Sequence, residues 1–294
     1  MNRSKFPIKM AACWMLLALL AGCKDEPEQI PTYIDIQPFT LNAEGGANWQ
    51  KITDGWLYVN GEFLGAYTLP ATVPVLAEGE SEVIVYAGVK ENGATGTPSI
   101  YPFWEKYTTK VTLTPAQTIQ VKPVTAYDPQ AQFAWALERS TFDSGSSVVI
   151  TDRDGDVARE FKINTDGGFV GKGVVMEVDT GHIVMEIATE KAILPTTADR
   201  QTWLELHYRS DIPFSLTLVG TNDPGLEQFF SAYEFYSTDN TWNKIYINLT
   251  EILLESKLDK HGLYFRALLG RDGTGKYPQT KGTVRLDNIR IIHY

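Results

Sequence analysis

The sequence predicts an all-β protein, and three observations carry that expectation. Asn60-Gly61 separates two runs, 56–59 and 62–67, in which large residues alternate, and Asn-Gly tolerates the positive φ that a type I′ hairpin turn requires. Beyond residue 130 the chain shows ten short apolar runs punctuated by turn residues, the rhythm of a β-sandwich. Only residues 251–257 read as helix, with Thr250 expected as N-cap and Glu251 in the first turn.

The chain begins with a basic head (Arg3, Lys5, Lys9), an apolar stretch over 10–20, and the small residues Ala21 and Gly22 before Cys23. That is the layout of a secretory leader, and the apolar stretch is too short to cross a bilayer. Leu20-Ala21-Gly22-Cys23 resembles the lipobox of bacterial lipoproteins. The resemblance implies cleavage after residue 22, acylation of Cys23 with palmitate-type chains, and a lipid anchor in the outer membrane. Lys24-Asp25-Glu26 resembles the signal that carries Bacteroidota-type lipoproteins to the outer face of that membrane, so the expected location is the cell exterior. Cys13 would leave with the leader. No thiol would then remain for a disulfide, a metal or catalysis. Residues 23–31 read as a tether.

A first folded unit is expected over 32–123. Beyond the hairpin it should hold strands near 82–86, 107–113 and 117–121. The run Leu57-Tyr58-Val59-Asn60-Gly61-Glu62-Phe63-Leu64-Gly65, then Leu69-Pro70-Ala71-Thr72 and Leu76-Ala77-Glu78-Gly79-Glu80-Ser81-Glu82-Val83, resembles the PEGA-type domain, a small surface β-sandwich of envelope proteins. The chain departs from that pattern at Ala77-Glu78-Gly79, where the family prefers Pro-Gly, and by an insertion over 91–107. The resemblance implies an interaction or scaffold module without chemistry of its own. Pro123 and Pro129 bound a linker over 124–129, since proline interrupts sheet pairing.

The second unit, 130–294, has runs at 147–151, 157–163, 173–178, 182–188, 203–208, 214–219, 234–237, 244–248, 263–267 and 283–292. In the last of these Val284 and Leu286 share one face while Ile289 and Ile291 share the other. One bulge near Asp287-Asn288 would turn all four inward. Four segments resemble the galactose-binding-like jelly roll of carbohydrate-binding modules: Phe133-Ala134-Trp135-Ala136-Leu137-Glu138 with Phe142-Asp143, Trp203 to Ser210, Thr241 to Thr250, and Val284 to Ile291. That resemblance implies a carbohydrate-binding fold. It also implies a structural calcium ion tying first strand to last, with Glu138 and Asp287 at the matching positions.

Other candidate sites are weaker. Gly270 to Lys276 follows a phosphate-loop pattern that fails at Tyr277 and Pro278, leaving a glycine-rich strand connection. Asp152-Arg153-Asp154-Gly155-Asp156 offers oxygen ligands at every second residue, but it lacks the distal glutamate of a calcium loop and equally suits a hairpin turn. His182, His207, His261 and His293 have no zinc-ligand spacing, and no Gly-x-Ser-x-Gly elbow occurs. The net charge of −10 argues against nucleic acid as an electrostatic partner. Aromatics make up 12% of the chain, which fits either a sandwich core or sugar-binding surfaces. Trp104 and Tyr233 are the aromatics expected to be exposed for a ligand, whereas Trp242 is expected in the core. The expected function is a non-enzymatic binding or scaffold component of an envelope assembly with protein partners. The alternative is a surface glycan-binding protein using the jelly roll, with polysaccharide as partner. A glycoside hydrolase built on a carboxylate pair is a third reading.

Overall fold

A computed structural model describes residues 28–42, 49–143, 145–223 and 226–294. Cys23 and Lys24-Asp25-Glu26 lie outside the described residues. The amino-terminal strands are β1 (Thr32–Ile36), β2 (Thr40–Leu41), β3 (Asp54–Val59), β4 (Glu62–Thr68), β5 (Ala71–Val75), β6 (Gly79–Lys90), β7 (Pro98–Ile100), β8 (Tyr107–Leu113), β9 (Thr118–Val121) and β10 (Val124–Thr125). They are followed by β11 (Gln132–Phe133), β12 (Ile150–Asp152), β13 (Lys162–Asn164), β14 (Gly173–Asp179), β15 (Val184–Thr189), β16 (Thr202–Ser210), β17 (Phe214–Asp223), β18 (Leu226–Phe235), β19 (Asn243–Asn248), β20 (Lys260–Leu268) and β21 (Lys281–His293). The fold class is all-β, as expected.

In the amino-terminal part, the sheet β5-β1-β9 packs against the sheet β4-β3-β6-β7, to which β8 adds along β6. Alternation places Ile34 and Ile36 of β1, Leu57 and Val59 of β3, and Val83 and Val85 of β6 in one apolar cluster. The β3–β4 hairpin turns at Asn60 and Gly61 with φ of 53° and 84°, the left-handed pair a type I′ turn needs. On the solvent side of this sheet Trp56, Tyr58, Phe63 and Tyr86 form a run of ring contacts with centroids 5.0–5.6 Å apart.

The carboxy-terminal strands form a jelly-roll sandwich. The first sheet runs β13-β14-β21-β16-β19, with β11 also on β21; the second runs β12-β15-β20-β17-β18. Apart from the adjacent pairs β13–β14 and β17–β18, successive strands cross between the sheets, and every pairing within them is antiparallel. The inner faces meet in a cluster that includes Leu204 and Leu206 of β16, Leu216 and Leu218 of β17, and Leu263 and Phe265 of β20. The β21 bulge is present. Glu205 pairs with Arg290 but His207 pairs with Asp287, so β21 holds an extra residue there, and Asn288 takes φ 53°. Val284, Leu286, Ile289 and Ile291 are all buried in consequence.

Three local expectations change. Thr250 belongs to the helix Thr250–Ser256 and gives no side-chain cap; Asn248 Oδ1 instead accepts the Thr250 N–H at 3.0 Å. The run expected at 234–237 begins with the last two residues of β18, whose earlier part is interrupted in sequence by the polar Glu227, Gln228 and Ser231. Residues 152–156 do not turn a hairpin, because β12 pairs with β15. Asp154 instead accepts N–H groups from Asp156 at 2.7 Å and Glu186 at 3.1 Å.

Candidate functional site

The two outer faces of the sandwich have different surroundings. The first sheet's outer face is covered by amino-terminal residues. Trp203, Tyr246 and Ile292 belong to the same apolar cluster as Tyr101, Phe103 and Trp104. Trp104 is therefore not an exposed ligand platform: it is 6% exposed, 4.5 Å from the Tyr101 ring and 5.7 Å from that of Tyr246. The 91–107 insertion folds inward because three large aromatics bury more area against β16 and β19 than they could in a solvated loop.

At the centre of this covered face lies Glu205, fully buried. Its Oε2 accepts from Lys244 Nζ at 2.5 Å, and Tyr101 and Tyr127 donate to its Oε1 at 2.9 and 3.0 Å. Arg290 approaches to 4.0 Å. Burial pushes the Glu205 carboxyl up, but Lys244 and Arg290 outweigh it and hold the group ionised. Burial lowers Lys244 to about 8 despite its partner.

The second sheet's outer face is open. Tyr264 on β20 stands among Arg153, whose guanidinium lies 5.8 Å from the ring centre, and Phe229 on β18, whose ring meets it edge-on at 5.5 Å. Phe229 is 53% exposed. Glu227 accepts from Arg153 Nη2 and from Lys191 Nζ, each at 2.5 Å. These hydrogen bonds lower its carboxyl to about 2. Glu186, on the neighbouring strand β15, faces Arg266 Nε at 3.1 Å. Burial and Glu186 push the Tyr264 phenol well up, so it remains a donor. The exposed Phe229 and the half-buried Tyr264 thus sit among paired carboxylates and cations on this face.

The remaining expected residues fall elsewhere. Tyr233 is half-buried; its hydroxyl donates to the Asn92 carbonyl at 2.7 Å and its ring lines a cleft between the amino-terminal strands and β19. Glu138 is exposed on the 3-10 turn Leu137–Thr141, whereas Asp287 is buried. Asp287 accepts N–H groups from Phe169 at 2.8 Å, Val170 at 3.3 Å and Asn288 at 2.7 Å. Burial raises it to about 7, and the nearby carboxylate that adds to this is Asp143. Among the described residues no three or more His, Cys, Asp or Glu converge as a metal group. Gly270 to Lys276 is an exposed connection organised by Asp272. Trp242 is not in the core: it lines a shallow recess with Phe169 and His207.

Sequence reading missed the open-face cluster, because its members come from five separate segments. One signal was available. Leu263, Phe265 and Ala267 alternate inward on β20, which sends Tyr264 and Arg266 outward.

No family model matches this chain, and no curated protein matches it. Among solved structures, the CBM22-1 xylan-binding domain of Paenibacillus barcinonensis Xyn10C is similar at TM-score 0.38 and 12% identity, covering 55% of this chain and 94% of that one. A carbohydrate-binding module of the β-sandwich superfamily is similar at TM-score 0.38 and 15% identity, covering 90% and 98%. A family 29 module from Piromyces equi is similar at TM-score 0.34 and 10% identity, covering 55% and 91%.

Proposed function

We propose that the chain is a lipid-anchored, cell-surface glycan-binding protein without catalytic activity, whose ligand lies along the open outer face of the second sheet. The observation that carries this reading is the Tyr264–Phe229 pair flanked by Arg153, Glu227, Lys191, Glu186 and Arg266. A sugar ring presents apolar C–H faces and equatorial hydroxyls. Aromatic faces beside fixed hydrogen-bonding groups satisfy both, and ion pairing holds those groups in place before a ligand arrives. The lipobox at Cys23 and the Lys24-Asp25-Glu26 signal support outer-membrane anchorage facing the exterior, where polysaccharide is met. The divisions 32–123 and 130–294, the first PEGA-like, complete the proposal. Affinity electrophoresis of the leader-less chain through gels containing soluble polysaccharides tests it. At least one neutral or mixed-linkage glycan is expected to retard the protein, with the retardation abolished in Tyr264→Ala; free migration across a broad panel would overturn the reading.

A second reading, a subunit of an envelope assembly, is favoured by one observation. The aromatic run Trp56, Tyr58, Phe63 and Tyr86 on the amino-terminal sheet is half-buried or exposed and has no charged groups in its ring contacts, which suits a protein partner.

A further inference from the structure

A cleft of about 360 Å³ opens between the amino-terminal strands and β19, on the covered side of the sandwich and away from Tyr264. Its volume lies within the range of about 300–1,000 Å³ typical of small-molecule sites. The chain carries a net charge of −10, yet this cleft is lined by Lys51, Lys90 and Lys244 and by no Asp or Glu. Two of the three ammonium groups have carboxylate partners just behind the wall: Lys90 reaches Asp54 at 2.8 Å and Lys244 reaches Glu205 at 2.5 Å.

Lys51 differs. Its Nζ donates to the neutral Asn243 Oδ1 at 2.6 Å, and among the described residues no carboxylate lies within ion-pair distance. Its backbone N–H donates to the Tyr246 hydroxyl at 2.9 Å, so residue 51 is fixed from β19 at two points. An ammonium group has three donors, and two of those at Lys51 have no partner among the described residues. Among the described residues the cleft thus holds one positive charge in excess. The rest of its lining, Ile245 and Gly93 apart, is hydroxyl, amide and ring, and includes Thr53, Thr68, Asn243, the half-buried Tyr233 and the 81% exposed Tyr236.

We propose that this cleft binds a monoanionic, polyhydroxylated ring, a hexuronic acid in chemical class, with its carboxylate on Lys51. One excess charge matches one carboxylate. The threonine and asparagine groups match ring hydroxyls, and Tyr236 offers a face to the ring. The site is independent of the platform on the second sheet.

Isothermal titration of the full chain in detergent with glucuronate, glucose and acetate tests the proposal. Glucuronate is expected to bind at least about tenfold more tightly than glucose or acetate, the effect of one charge-assisted hydrogen-bonded contact added to the ring contacts. Lys51→Gln should reduce glucuronate to the level of glucose, Lys51→Arg should retain binding, and Tyr236→Ala, at an exposed position, should weaken it without altering the fold. Tyr264→Ala should leave glucuronate binding unchanged, which separates this site from the platform. The absence of saturable glucuronate binding, equal binding by Lys51→Gln, or acetate binding as tight as glucuronate would each overturn it.

Discussion

On the first sheet's outer face, Glu205 meets Lys244 with 0% and 4% of the side chains exposed. On the second sheet's outer face, Glu227 meets Arg153 with 21% and 28% exposed. Both clusters combine a carboxylate, cations and tyrosine, yet their environments are opposite. The covered cluster has lost its water and depends on its own geometry. Burial lowers Lys244 to about 8 even with Glu205 in contact. The open cluster keeps water at its edge, and there hydrogen bonding to Arg153 and Lys191 dominates, lowering Glu227 to about 2. The same residue types therefore form a dry, fully buried pair where the amino-terminal strands dock, and a partly exposed, pre-oriented set on the second sheet's outer face.

The strongest way to break this comparison is to remove Glu205. Glu205→Ala leaves Lys244, Arg290 and two tyrosine hydroxyls buried without their acceptor, and it should cost about 3–5 kcal/mol in chemical denaturation. Glu205→Leu combined with Lys244→Met should be less destabilised than Glu205→Leu alone, because the orphaned ammonium goes with its partner. An equal cost for single and double variants would show that the pair is not energetically coupled.

Acid should separate dry groups from wet ones. His261 is fully buried, its Nε2 is 2.7 Å from Ser256 Oγ, and burial lowers its pKa to about 4. In the unfolded chain it titrates near 6.5, so between those values the unfolded state binds the extra proton. His261 should contribute a loss of about 3 kcal/mol as pH drops from about 6.5 to 4, beside a further loss from His207, which burial lowers to about 2, and an opposing gain from Asp287, whose carboxyl takes up its proton first in the folded chain. Glu227 is held near 2, against an unfolded value of about 4.3. Its contribution is fully present above that unfolded value and fades only as pH falls through 4 toward 2. Thermal unfolding against pH should differ between the wild type and His261→Gln by that share between about pH 6.5 and 4, with no change in the loss below about pH 4. Parallel profiles for the two proteins would contradict the burial of that imidazole.

What was legible in the sequence follows the range of the interactions. The Asn60-Gly61 hairpin could be read because two adjacent residues decide it. The β21 bulge could be read because Val284, Leu286, Ile289 and Ile291 all had to face one core. Trp104 could not be placed, since its burial depends on Tyr246, far along the chain, and a Pro-Phe-Trp segment in an insertion reads locally as a loop. The open-face cluster was hidden for the same reason: Arg153 meets a glutamate 74 positions away. Lys51 gave no signal at all, because what distinguishes it is the absence of a nearby carboxylate among the described residues, and only the folded chain defines which carboxylates are near.

The smallest expected change in stability sharpens the comparison most. Glu227→Gln keeps the shape of the side chain and removes its charge, and Arg153 and Lys191 remain solvated enough to be rehydrated. The cost should stay below about 3 kcal/mol, the ceiling set by the fall of its carboxyl from about 4.3 to about 2, and should shrink in high salt. Polysaccharide retardation should nevertheless fall, because Arg153 loses the partner that holds its guanidinium over Tyr264. Small cost with lost binding is the outcome expected of a pre-oriented wet surface. A cost as large as that of Glu205→Ala would instead make the second face a dry structural cluster like the first, and a dry cluster has no room for a sugar.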